Sequence, residues 1–201
     1  MFIQVVQGKA KDEAGLKKQW ERWDQEVKPQ AIGYLGGTAG VTPDGEFIAL
    51  ARFESEEAAK KNSDSAEQSK WWEETSQYID NPMFHDCNMV SLSNGGGSDE
   101  AGFVQVMQGK TTDIAKAKEL DAGMEERMKG LRPDVLGSVT AGHENGRYTT
   151  AIYFRSESEA RAKEKEMQDS EEFKKSMAEW ADISDGEPKF FDLTDPWYST
   201  K

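Results

Sequence analysis

The alternation of hydrophobic and polar positions along the chain occurs twice. Phe2-Ile3-Gln4-Val5-Val6-Gln7-Gly8-Lys9 returns as Phe103-Val104-Gln105-Val106-Met107-Gln108-Gly109-Lys110. Both runs are rich in β-branched residues and alternate imperfectly, which predicts a strand covered on at least one side. Ile3, Val5 and Gln7 fall on one face, and Phe2, Gln4 and Val6 on the other. After Asp12, a good N-cap, the period becomes helical, with Leu16, Trp20, Trp23 and Val27 on one stripe. Pro29 closes that helix. In the second copy Asp113 caps a helix with Ala117, Leu120, Met124 and Met128 on its stripe, ending before Arg132-Pro133.

The echo continues. A glycine-rich strand is expected from about Ala31 to Val41, and Pro29 to Gly33 answers Pro133 to Gly137. Asp44-Gly45 and Asn145-Gly146 each predict a hairpin turn, since such dipeptides accept the positive φ angles of tight turns. Ser55 and Ser156 then cap second helices, the first of them broken near Ser63-Asp64-Ser65. A last strand is expected from about Phe84 to Leu92, matched by Pro188 to Leu193.

The fold class is therefore α+β. Each copy reads β-α-β-β-α-β, a ferredoxin-like repeat with a four-stranded antiparallel sheet and both helices on one face. The repeats span residues 1–92 and 101–194, joined by a Gly/Ser-rich linker over 93–100 and followed by a tail over 195–201 that packs through Trp197 and Tyr198. Repeated residues lie at turns and caps as well as in the core, which favours internal duplication over two independent domains. Such a sheet leaves one face bare, and the expected remedy is face-to-face packing of the two sheets within the chain. The basic unit is then a monomer, with weak homodimer formation open at the sheet edges.

Composition narrows the partners. A formal charge of −13 over 201 residues argues against nucleic acid and against an anionic membrane surface. The single cysteine, Cys87, has neither a disulfide partner nor metal-ligand spacing around it, so no metal is expected. Met1 leads directly into a strand without an export or membrane-spanning signal, which points to the cytoplasm.

The Pro-x-x-Ile/Leu-Gly element, the hairpin into Ala51-Arg52-Phe53-Glu54-Ser55 and the helix after it resemble the dimeric α+β barrel superfamily, nearest the antibiotic-biosynthesis-monooxygenase-like domains. The resemblance covers both repeats and is tandem in this chain. It implies a pocket between helices and sheet, and in some members oxidation of polycyclic phenols by oxygen without flavin or metal. Other members degrade haem with an Asn on the first strand and a Trp and a His on the second helix. This chain has Gln7 at the first of these, offers Trp71 or Trp72 at the second, and has no His on either second helix.

Under that resemblance the site candidates in the first repeat are Gln4 or Gln7 with Trp72 and Tyr78, and in the second Gln105 or Gln108 with Phe173 and Trp180. Arg52 could anchor a carboxylate or face solvent, and His85 lies among aromatic and polar neighbours. The plainer reading makes the glutamines structural hydrogen-bonders and the aromatics core. The functional expectation is a cofactor-independent monooxygenase acting on a small aromatic or phenolic ligand, with the pocket better developed in the first repeat. The alternative is a non-catalytic ligand-binding or structural module.

Overall fold

The computed structural model describes residues 1–128, 132–143 and 145–201, with side chains described outside 124–128. The stripe positions Met124 and Met128 lie outside the described side chains. In chain order the elements are β1 (Phe2–Ala10), α1 (Glu13–Glu26), β2 (Tyr34–Val41), β3 (Glu46–Phe53), α2 (Glu56–Ser63), α3 (Ala66–Thr75), β4 (Ile79–Cys87) and β5 (Met89–Ser93). They continue with β6 (Phe103–Lys110), α4 (Ile114–Met128), β7 (Val135–Gly142), β8 (Arg147–Phe154), α5 (Glu157–Met167), α6 (Glu171–Ala181), β9 (Lys189–Leu193) and β10 (Trp197–Ser199).

The helices begin where side-chain caps satisfy free first-turn amides. Asp12 accepts from Gly15 N at 3.1 Å and Ser55 from Ala58 N at 3.1 Å. Asp113 accepts from Lys116 N at 2.9 Å and Ser156 from Glu159 N at 3.3 Å. The expected break in the second helix is real: α2 ends at Ser63, and Ser65 caps α3 by accepting from Gln68 N. The second repeat breaks likewise, with Ser170 capping α6.

Two compact units result, Met1–Val90 with Leu193–Lys201, and Ser91–Asp192. The first unit carries a sheet in the order β10-β2-β3-β1-β4, and the second carries β5-β7-β8-β6-β9. Each is a ferredoxin-like α+β unit with one strand more than the four expected. The strand expected over Phe84–Leu92 divides at Asn88: its first part is edge strand β4, and its second, β5, lies beside β7 in the other sheet. The free edge of β2 takes β10, with Trp197 opposite Ala39 and Ser199 opposite Gly37. An open strand edge is a row of unpaired donors and acceptors, and the added strands satisfy it.

In the first unit the register of β1 against β3, Phe2 with Phe53 and Gln4 with Ala51, decides which side chains meet the helices. Phe2, Phe53 and Tyr34 pack with Trp23 of α1 and with Val27 just beyond its end, and Val41 and Phe47 pack with Leu16 and Trp197. The opposite-facing Ile3, Val5, Ile48 and Leu50 are also buried. In the second unit Phe103 stacks on Phe154 at 5.6 Å, with Ala160 beside them.

Candidate functional site

A cavity of about 470 Å³ lies in the first unit between its helices and its sheet. The period-two face of β1 brings Gln4 and Val6 to it, and β3 brings Ala49, Ala51 and Phe53. Tyr34 of β2 and Phe84 of β4 extend the wall on either side. From above, the α1 stripe contributes Leu16, Trp20 and Trp23, while α3 contributes Trp71, Trp72 and Thr75. The break between α2 and α3 places Asn62, Ser63 and Gln68 at one end.

The aromatic residues touch in a chain of edge contacts. Trp23 meets Tyr34 at 4.7 Å between centroids and Trp71 at 6.4 Å. Trp71 meets Trp72 at 6.1 Å, and Trp72 meets Phe84 at 4.9 Å with the rings 70° apart. Such edge-to-face geometry holds rings in place beyond what their buried area does. Phe84 is 47% exposed, so it and Trp72 stand at the open side.

Polar groups on the wall are few and mostly engaged. Trp23 Nε1 donates to Gln68 Oε1 at 2.7 Å, and Trp71 Nε1 to the Gln19 carbonyl at 2.8 Å. The Gln4 amide donates to Asp86 at 3.0 Å. Burial raises the pKa of the Tyr34 hydroxyl, with Ser199 and Arg52 opposing the shift, so the phenol stays protonated. Burial, with Asp86 adding to it, pushes the Cys87 thiol up to about 12.

The structure brings Gln4 and Trp72 to the cavity and leaves the other candidates elsewhere. Gln7, on the opposite face of β1 from Gln4, is not among the lining residues, nor is His85, which pairs with Val5 on β4. Tyr78 packs on the start of α1, its ring 2.5 Å from where a Cβ on Gly15 would stand. Arg52 Nε donates to the Gly36 carbonyl at 3.4 Å. In the second unit Gln105 donates to Asp192 at 2.8 Å and Gln108 to Thr149 Oγ1 at 3.0 Å. Phe173 and Trp180 are half-buried on α6.

Trp20, Trp23 and Trp71 wall the cavity although their spacing reads equally as core. Tyr34, Asn62, Gln68 and Phe84 were not singled out by the sequence. The even-numbered face of β1 opposite a tryptophan stripe was the signal that could have found the wall.

The second unit carries a different contact on its second helix. Arg161 of α5 pairs with Asp192 and lies over the Phe103 ring at 5.2 Å. Its counterpart in the repeat, Lys60, instead pairs with Asp64 at the surface at 3.2 Å. Among the described residues no group of three or more His, Cys, Asp or Glu could hold a metal ion, and no helix is long and apolar enough to cross a membrane.

Solved structures share this architecture over the whole chain. A protein from Fusobacterium nucleatum provisionally named a monooxygenase matches 100% of this chain and 94% of its own at TM-score 0.75 and 11% identity. One from Lactobacillus acidophilus, also provisionally named a monooxygenase, matches 99% and 94% at TM-score 0.71 and 10% identity. The chain has the fold of these two monooxygenase-named proteins. An anthrone oxidase-like protein shares this monooxygenase-like fold at TM-score 0.68 and 12% identity, covering 100% of this chain and 94% of its own. A major regulator of staphylococcal pathogenesis also shares it, more distantly, at TM-score 0.52 and 8% identity over 96% of this chain and 98% of its own. No protein-family model matches the sequence, and no curated protein matches it. Identities this low carry the monooxygenase-like fold and leave the chemistry to be argued from the site.

Proposed function

We propose that the cavity of the first unit takes a planar aromatic or phenolic small molecule and that the protein oxidises it as a cofactor-independent monooxygenase. The observation that carries this reading is the cavity itself, about 470 Å³ in size and walled by Trp20, Trp23, Trp71, Trp72, Phe53 and Phe84. Apolar concavities of this size with a few polar groups are the usual form of a small-molecule site. In the reaction a ring CH₂ becomes C=O: one atom of dioxygen enters the substrate, and the other leaves as water with both hydrogens. The electrons come from the electron-rich substrate.

The protein's share is to hold the ring, exclude water and stabilise the anion formed as a proton leaves. Gln4 supplies an amide and Glu73 a carboxylate among the lining residues. We place the site in the first unit, whose cavity carries the tryptophan wall.

Oxygen uptake with a panel of anthrone-type substrates, with incorporation of one oxygen atom into the product followed by mass, tests the reading. Uptake that depends on the protein and falls at least about tenfold in Trp72→Ala, as expected for about 1.4 kcal/mol of lost stabilisation, supports it. Uptake unchanged by the protein and by the variant overturns the catalytic part. A non-catalytic binding module is the second reading, favoured by the regulator that shares the fold.

A further inference from the structure

Four oxidisable rings of the cavity wall touch in line. Tyr34 meets Trp23 at 4.7 Å between centroids, Trp23 meets Trp71 at 6.4 Å, and Trp71 meets Trp72 at 6.1 Å. All four line the cavity. Indole and phenol give up one electron more readily than a phenyl ring does. Electron transfer falls steeply with distance, so rings in contact pass an electron vacancy along.

Where the vacancy comes to rest depends on the proton each ring carries. Trp23 Nε1 donates to Gln68 Oε1 and Trp71 Nε1 to the Gln19 carbonyl. A neutral amide oxygen is a poor proton acceptor, so an oxidised indole there keeps its proton and remains a strong oxidant of its neighbour. Tyr34 is placed differently. Its hydroxyl lies over Gly37, 2.6 Å from where a Cβ would stand, and Gly37 faces Ser199 across the ladder of β2 and β10. Directly opposed residues of an antiparallel pair share a face with Cβ positions about 4.5–5.5 Å apart. The Ser199 hydroxyl is thus within hydrogen-bond reach of the phenol, and it opposes the rise in the phenol's pKa. Ser199 Oγ donates in turn to Asp24 Oδ1, which leaves its lone pairs to accept from Tyr34. Asp24 is partly exposed and pairs with Lys28 at 2.8 Å. The phenol therefore has a hydroxyl path to a carboxylate.

We infer that Trp72, Trp71, Trp23 and Tyr34 form a hole-transfer chain that moves a one-electron oxidation of the cavity wall onto Tyr34, with the proton delivered through Ser199 to Asp24. The oxidant is an organic peroxyl radical in the cavity, which takes one electron and becomes the peroxide anion. Tyr34 ends as a neutral phenoxyl radical, while Ser199 passes its own proton to Asp24 and takes the phenol's. The tryptophans are restored before oxygen adds irreversibly to an indole radical. This goes beyond the proposed function and holds whatever ligand the cavity takes.

Pulse radiolysis with the azide radical, a one-electron oxidant of indoles, tests it. In the wild-type protein the tryptophan-radical absorption is expected to decay as a tyrosyl radical appears, at a rate independent of protein concentration. Tyr34→Phe loses the tyrosyl signal. Trp23→Phe, made in a Trp20→Phe background because the Trp20 ring also approaches the Tyr34 hydroxyl at Gly37, loses it as well, whereas Trp20→Phe alone keeps it. Asp24→Asn leaves Tyr34 in place and removes the proton acceptor, so the tryptophan radical forms as before and the tyrosyl radical does not. Near-ultraviolet circular dichroism reports that each variant is folded. A tyrosyl signal that survives in Tyr34→Phe, in the double variant or in Asp24→Asn overturns the chain, as does its absence from the wild-type protein.

Discussion

Gln4 donates its side-chain amide to Asp86 across β1 and β4 at 3.0 Å. The second repeat reproduces the bond between Gln105 and Asp192 at 2.8 Å. A contact kept in both repeats belongs to the sheet before it belongs to any site. Because the Gln4–Asp86 pair is exposed, its loss costs little. Gln4→Leu is expected to lower stability by less than about 1 kcal/mol in urea denaturation, and a loss several times larger would show that the bond organises the sheet edge.

Trp23 is different, because its indole N–H and Gln68 Oε1 meet at 2.7 Å at the junction of two helices. Trp23→Phe keeps the ring and leaves the Gln68 acceptor without that donor. The expected destabilisation is about 1–3 kcal/mol, read from the shift in denaturation midpoint. Gln68→Leu in the Trp23→Phe background should recover part of it, since removing both partners is milder than removing one.

The C-terminal strand is held to α1 by polar contacts and by one buried ring. Lys17 pairs with Asp195 at 2.6 Å and Lys28 reaches the Thr200 carbonyl at 3.0 Å, while Trp197 is 4% exposed against Val41 and Phe47. Exposed ion pairs contribute about 0–1 kcal/mol, whereas truncating a buried tryptophan costs about 3–5 kcal/mol. Asp195→Ala is expected to be nearly silent and Trp197→Ala severe in thermal or urea unfolding. The reverse order would mean that the strand is held by charge.

Cys87 is expected to be an inert thiol. Burial first, and Asp86 second, raises it from 9.0 to about 12. The folded protein therefore keeps a proton that the unfolded chain releases. Stability is fully present below pH 9 and declines as pH rises toward 12, and the buried Tyr34 phenol acts in the same direction at higher pH. At about pH 8 a thiol reagent should fail to modify native protein and react once it is unfolded. Rapid modification of the native state would contradict the burial.

Much of the fold was legible in particular residues. The repeated strand, Asp12 and Ser55 as caps, the Asp44-Gly45 turn and the break at Ser63-Asp64-Ser65 are local signals, and local physics placed each of them. Strand β10 was not legible as a strand. Its partner β2 lies more than 150 residues away in the chain, and three residues carry no period of their own. The division of the last strand at Asn88 was hidden for the same reason, since only the destination of Met89–Ser93 separates it from β4. The site was legible in part. Trp72 and Gln4 reach the cavity, whereas Tyr78, with the same aromatic character, is turned onto Gly15. Helical spacing identifies the face a tryptophan occupies and is identical for a packed core and for a cavity wall, so Trp20 and Trp23 could not be told apart from core.

The central claim is that the first unit binds a planar aromatic molecule. Trp20, Trp23, Trp71 and Trp72 wall the cavity, four of the six tryptophans in the chain. Anaerobic titration with 1,4-dihydroxynaphthalene, followed by tryptophan fluorescence, reads that claim before any oxidation occurs. Saturable quenching of most of the emission at one ligand per chain, lost in Trp72→Ala, is the predicted result. Linear quenching without saturation, the same in wild type and variant, would contradict it.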